Sequence, residues 1–362
     1  MFVNHPTSAR RAAPALLALA LFCTALAPAA DWPHWRGPQR NGISAESGWL
    51  DVWPAAGPAI AWKAKVGLGF SSFVIAQGRV FTLGHANGQD TVWCFDAATG
   101  KVVWTKNVQK ETGAPIPDWG FTGAPLVHEN LLVLNVGDAG LALDQSTGKI
   151  LWQSAKKAAG YSTPLPVQRD GQWLALLGTG SAYVAVNLRD GKETWRTRWI
   201  TEYGVNASDP IVDGDRMFLS TGYGKGGGLF KLGAAEPEPL WKTKKLRTQL
   251  NPAVLYQGHL YGTDGDTSEK AALKCLDFAT GDEKWTQPGF GSGAVTIADG
   301  KLIALGGTGE LMVAPATPSG FKPTARAQVL GGKCWTAPVL ANGRVYARNG
   351  RGDVVCVNLG KN

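Results

Sequence analysis

The stretch Cys94-Phe-Asp-Ala-Ala-Thr-Gly-Lys-Val-Val-Trp104 occurs four times along the chain in variant form. It reads as the end of one strand, a tight turn, and a second strand carrying a tryptophan. Asp96 is placed to accept hydrogen bonds from backbone N–H groups two and three residues on. Gly100 supplies the positive φ that such a turn needs. Trp104 falls four residues past that glycine, far enough into the next strand to pack sideways. The unit returns as Asp144…Gly148…Trp152, Asn187…Gly191…Trp195 and Asp277…Gly281…Trp285, with Asp or Asn eight positions before Trp each time.

Weaker copies extend the series to Trp62, with no turn ahead of it, and to Trp241, after a degraded turn. Successive tryptophans are then 42, 48, 43, 46 and 44 residues apart. A period of ~40–50 residues with strand chemistry means four-stranded propeller blades. One more period past Trp285 reaches Ala325–Leu330, a strand without a tryptophan. Residues 331–359 hold three strands, and Pro58–Val66 holds one. The economical reading is an all-β, seven-bladed propeller over residues 58–359, whose N-terminal strand completes the last blade. Closure leaves only short, protected sheet edges. A buried indole covers ~150–250 Å2, so each repeat tryptophan contributes up to ~4–6 kcal/mol gross. These residues, with their Asp or Asn and Gly partners, are expected to dock blade on blade.

The opening Asp31-Trp-Pro-His-Trp-Arg-Gly-Pro-Gln-Arg-Asn-Gly resembles that of exported pyrroloquinoline-quinone-like (PQQ-like) repeat proteins. The Ala-x-Asp-x-x-Thr-Gly-x-x-x-Trp units are similar to their tryptophan-docking motif. That architecture hosts quinone-dependent alcohol and sugar dehydrogenases and also non-enzymatic scaffolds, among them the outer-membrane protein assembly factor BamB. The resemblance implies a fold and leaves activity open between those roles.

Residues 1–30 read as a secretory signal: Arg10 and Arg11 precede an apolar run, with small residues before a cleavage site near Ala29/Ala30. The expected destination is the periplasm or the exterior. Residues 31–57 should pack on the ring as an irregular segment. Without residues 1–30 the net charge falls from +8 to about +6, and four cysteines remain: Cys94, Cys275, Cys334 and Cys356. Three of these take the place that Ala142 and Ala185 hold in other repeats, and free buried thiols are expected. The run Lys242–Arg247 lacks interleaved aromatics, so no nucleic-acid partner is expected. No membrane span is expected either, and the chain reads as a monomer.

No common catalytic or nucleotide motif is present, and the histidines His34, His85, His128 and His259 are scattered. They are read as surface or turn residues. Asp264–Glu269 lacks the Gly and Glu of a calcium loop and reads as a solvated hairpin, so no metal site is expected. Quinone enzymes of the resembled family carry two adjacent cysteines, and no two cysteines here are neighbours. The expected role is thus a non-catalytic binding or scaffold module for a protein, peptide or glycan. A PQQ-dependent dehydrogenase and a BamB-like helper in outer-membrane protein assembly are the alternatives. PQQ is the one cofactor that the resemblance would admit.

In a four-stranded blade, the first-to-second and third-to-fourth turns share one face. Here they are short and repetitive. The opposite face gathers long, varied loops, where function tends to lie. Its central mouth should receive Trp119, Phe121, Tyr161, Tyr203, Asn206, Asp209, Arg247, Gln249, Asn251 and Trp335, a mixture suited to a polar ligand.

Overall fold

The computed structural model describes residues 1–2 and 31–360, apart from 119, 158, 170, 180–181, 199–210, 222–225, 232–237 and 266–269. Seven antiparallel four-stranded sheets follow one another along the chain. Their first strands are Val74–Ala76, Leu126–His128, Leu165–Arg169, Ile211–Asp213, Val254–Tyr256, Ala294–Ala298 and Val339–Ala341, and these number the blades 1 to 7. Blade 7 is closed by Ala59–Lys65, which pairs antiparallel with Asp353–Asn358. The ring is a seven-bladed β-propeller with its first and last segments joined in one sheet.

Two-residue turns carry the first-to-second connections. Gln257-Gly258, Asp299-Gly300 and Asn342-Gly343 all have positive φ at both residues. That is the type I′ geometry whose twist matches paired strands. The repeat turn behaves as its sequence requires. Asp96 Oδ1 accepts from Ala98 N (3.2 Å), Thr99 N (2.9 Å) and Thr99 Oγ1 (2.8 Å). Asp144 repeats the pattern on Ser146 and Thr147. Asn187 and Asp277 accept from Arg189 N and from Ala279 and Thr280 N.

Each tryptophan of the series is paired across the ladder with a small or apolar residue of the third strand. The pairs are Cys94–Trp104, Ala142–Trp152, Ala185–Trp195, Leu229–Trp241, Cys275–Trp285 and, across the closure, Cys356–Trp62. A register shift accompanies every one of these pairs, and such a bulge re-aims the side chain it carries. The indoles of Trp62, Trp104, Trp152 and Trp241 then lie on Gly100, Gly148, Gly191 and Gly281 of the following blade. A Cβ on any of those glycines would fall 2.5–2.8 Å from an indole carbon. The indole Nε1 atoms donate into the same turns, to the carbonyls of Ala97 (3.1 Å), Gln145 (3.1 Å), Leu188 (2.9 Å) and Phe278 (3.2 Å). Trp285 reaches Thr317 O at 2.9 Å. The indole of Trp195 and the turn at 232–237 lie outside the described residues.

Blade 6 breaks the pattern. Its outer strand, Ala325–Gln328, sets Arg326 opposite Met312 in an unbulged ladder. The apolar core is divided among the seams between blades. One cluster joins Trp62, Phe95 and Tyr346 at the seam of blades 7 and 1; another joins Trp49, Ile303 and Val345 at that of blades 6 and 7. No helix among the described residues is long and apolar enough to cross a membrane. The connection after blade 1 forms a short helix, Val108–Thr112, capped by Asn107.

Candidate functional site: the axis and the long-loop mouth

The first strand of each blade runs along the ring axis and presents an edge whose N–H and C=O groups need partners. The chain supplies them itself. Trp32 pairs in both directions with Ile75 of blade 1 (2.8 and 3.0 Å), and Pro33 O accepts from Val127 N of blade 2 at 3.1 Å. Arg40 Nη1 donates to Pro166 O of blade 3 at 3.0 Å. Arg36 Nη2 donates to Ala253 O, just ahead of blade 5, at 2.6 Å. Ile43–Ser44 runs parallel to the inner strand of blade 6 as a fifth strand. Glu46 then accepts from Asn342 N (2.6 Å) and Gly343 N (2.7 Å) in the first turn of blade 7. Residues 31–46 thus bond to six of the seven blades along the axis.

Two non-glycine residues of this segment hold left-handed backbone, Arg36 (φ 65°) and Arg40 (φ 55°). Such conformations persist only where surroundings enforce them. Here Gly42 N closes a turn on Arg36 O at 2.9 Å. The cavity left beside Trp32, Arg36, Ser72 and Asn251 measures about 10 Å3, on the order of one water. Trp32 Nε1 and Ser72 Oγ are buried there without hydrogen-bond partners. His34 is half-buried near Arg40 and His128; burial first, then the electrostatic influence of those neighbours, brings its pKa down to about 4.

The long-loop mouth is built differently from the sequence expectation. Phe121 turns into the core between blades 1 and 2, only 5% exposed. Asn251 is spent on structure, its Nδ2 donating to Trp335 O at 2.7 Å. Arg247 donates through Nε (2.8 Å) and Nη2 (3.2 Å) to Asp264, which also meets Lys274 at 3.1 Å. Burial raises the Asp264 pKa, but the hydrogen bonds from Arg247 and Lys274 outweigh it and the net shift is downward. Asp264 is therefore a buried ion-pair partner, not part of a solvated hairpin. Tyr161 and Gln249 remain half-buried, and Gln249 Oε1 is enclosed without a partner. Trp335 stacks on Phe70 with ring centroids 4.7 Å apart, and Lys333 Nζ lies 5.0 Å from the same indole centroid. Trp119, Tyr203, Asn206 and Asp209 lie outside the described residues.

The sequence reading overlooked two histidine arrangements. His85 and Asp90 are cross-strand neighbours on either side of the Asn87-Gly88 turn. His85 Nδ1 lies 2.5 Å from Asp90 Oδ1, while Asp90 Oδ2 accepts from Phe121 N at 2.8 Å. The His-x-Asn-Gly-x-Asp spacing was the available signal, since a two-residue turn sets those positions opposite each other. His34 and His128 meet only in the fold.

All four described cysteines are free and buried. Burial pushes the thiols of Cys94, Cys334 and Cys356 up to about 12 and that of Cys275 up to about 11. Such thiols are poor nucleophiles. Cys334 lies in the connection that precedes the first strand of blade 7.

The family model described as outer membrane protein assembly factor BamB matches residues 46–287. The chain belongs to this family of PQQ-like propellers. Among curated proteins, this BamB-family propeller is similar to the tetrathionate hydrolase of Acidithiobacillus ferrooxidans. The two are 29% identical over 183 residues, 45% of this chain and 35% of the hydrolase. The chain thus spans about a third of that relative's length. Among solved structures, quinohemoprotein alcohol dehydrogenase from Comamonas testosteroni superposes with a TM-score of 0.52 at 12% identity, covering 92% of this chain and 81% of that one. Likeness at that identity shows the fold alone. BamB from Moraxella catarrhalis gives a TM-score of 0.49 at 15% identity, over 87% of this chain and 99% of its own.

The likeness to quinoproteins raises the question of a quinone on the axis. The axis beside residues 31–46 does not fit one. Arg36 and Trp32 stand in it, and the remaining 10 Å3 compares with ~300–1,000 Å3 for a cofactor pocket.

Proposed function

We propose that this BamB-family propeller is an exported, non-catalytic scaffold that captures a protein, peptide or glycan at its long-loop mouth. The carrying observation is the surface formed there by Phe70 stacked on Trp335, with Lys333 over the same indole. Aromatic faces with a cation beside them suit polar ligands that also present apolar patches. Gln249 adds an unpaired acceptor two residues from Asn251, which is bonded to the Trp335 carbonyl. In this reading residues 1–30 are the leader, cut near Ala29/Ala30, and the remaining chain works in the periplasm as a monomer. The repeat tryptophans dock the blades and take no part in ligand binding. The family match favours a helper role in outer-membrane protein assembly over dehydrogenation.

The test compares two variants for capture from periplasmic extract. The first combines Tyr161→Ala, Gln249→Ala and Lys333→Ala on the long-loop face; the second combines Val52→Ser and Gln257→Ala on the short-turn face. Both should stay folded at the assay temperature, with melting lowered by no more than about 6 °C, since two or three such changes of ~0.5–1 kcal/mol each sum to ~1–3 kcal/mol. Loss of partners only in the first supports the reading. Loss only in the second assigns the working surface to the wrong face.

A further inference from the structure

We propose that the axis of this propeller is a peptide-binding site, filled in cis by residues 31–46, and that the ligand class it accepts is a peptide that pairs as strand at both ends, turns between them and carries a Trp-Pro step and a buried arginine. The occupant itself defines the chemistry. Its recognition follows the strand-addition mode, in which main-chain hydrogen bonds supply affinity and side-chain pockets supply specificity. Trp32 adds to the inner edge of blade 1, Pro33 O takes the Val127 amide, and Gly42 O takes that of Ile297 at 2.9 Å. Trp32 is 2% exposed and packs with Phe73, Ile75 and Val339; Arg36 is 6% exposed and reaches Ala253 O and Asn41 O.

The sequence of the segment fits its place. A Cβ at Gly37 would fall 2.9 Å from the Trp32 ring, and one at Gly42 would fall 2.7 Å from Val254. Pro33 has no N–H to orphan, and its carbonyl is the atom used. Glu46 ends the segment by accepting two backbone amides of blade 7. Tethering places this ligand at millimolar effective concentration, so the parent should not take up a free peptide of the same sequence, whereas a variant whose own segment has lost the Trp32 contacts should. The inference is independent of the long-loop reading: the axis could hold its own segment whether or not the mouth captures a partner.

Two measurements test it on the full chain. In the parent, hydrogen exchange at the amides of Ile75, Val127 and Ile297 should be at least 100-fold slower than at exposed turn amides. Exchange as fast as the turns would show an unseated segment and overturn the proposal. In a Trp32→Ala variant, a synthetic peptide of residues 31–46 should restore at least half of the lost melting temperature, while a scrambled peptide and pyrroloquinoline quinone should not. Failure of rescue in a folded variant, or stoichiometric quinone binding to the parent that is lost on Asn251→Leu substitution, would overturn it. If Trp32→Ala does not fold, the exchange result on the parent decides.

Discussion

Arg348, in the second strand of blade 7, is fully buried at the seam where the ring closes. Its Nη1 donates to Ser71 O (3.2 Å), Thr82 Oγ1 (3.1 Å) and Leu83 O (2.5 Å), and Nη2 to Gly67 O (3.3 Å), all on the blade 1 side. Every one of these acceptors is neutral. Burial alone brings the pKa down to about 9, which leaves the group charged at neutral pH. Replacing it with Met keeps the length and removes the donors. Each lost bond from a charged donor is worth ~1.5–3 kcal/mol, while desolvating the cation costs several kcal/mol in the parent. The two effects oppose, and with four acceptors abandoned the loss should win by ~2–4 kcal/mol. At about 2 °C per kcal/mol for a chain of this size, the melting temperature should fall by ~4–8 °C. Arg344→Met is the control: that side chain, at the same seam, donates to Ala97 O at 2.7 Å, lies beside the Tyr346 hydroxyl and is only half-buried. Its effect should stay below ~1.5 kcal/mol. Scanning calorimetry of both variants is the assay. An unchanged or raised melting temperature for Arg348→Met would show that its bonds only offset the desolvation of the cation, and the latch argument would be wrong.

Gly148→Ala, which sets a Cβ 2.8 Å from the Trp104 ring, should destabilise by ~1–3 kcal/mol more than Gly78→Ala, which has similar φ and open space. Equal losses in urea titration would remove the indole contact from the account. Stability should fall with acid through His34. Its folded value of about 4 lies below the unfolded 6.5, so the unfolded chain binds more protons between those pH values. The loss begins near pH 6.5 and levels off below about 4, and His34→Gln should flatten that part of the melting-versus-pH curve. The four buried thiols should resist an aromatic disulfide reagent at pH 8 and react together on denaturation; rapid native labelling of Cys334 would contradict its burial.

The ring was legible because a propeller writes its period into the chain. Every indole–glycine contact joins consecutive repeats, so Asp96, Gly100 and Trp104 carry their meaning within one blade length. Even the closure could be read, since Trp62 lacked a turn of its own and pairs with Cys356 at the far end. The axis was opaque for the opposite reason. Trp32, Arg36 and Arg40 bond to edges more than 40 residues away, and no local pattern marks an edge as awaiting a partner. Arg348 resembles any arginine on an alternating strand until the neighbouring blade covers it. Phe121 was assigned to the mouth by its place in the connection, but Asp90 holds its amide and turns the ring inward.

The sheet that joins Ala59–Lys65 to Asp353–Asn358 also sets a timetable. Roughly 300 residues must emerge between the two strands, about 15–60 s at the usual ~5–20 residues per second. Throughout that interval the first strand lacks its hydrogen-bonded partner; Trp62 can settle on the Gly100 turn once blade 1 emerges, but Ile60 stays on an unpaired edge. Part of its early defence is its own composition: Lys63 and Lys65 alternate along it, and charged residues discourage edge-to-edge pairing. A newly made chain of this propeller is most vulnerable to aggregation at its beginning and is relieved only when its end arrives.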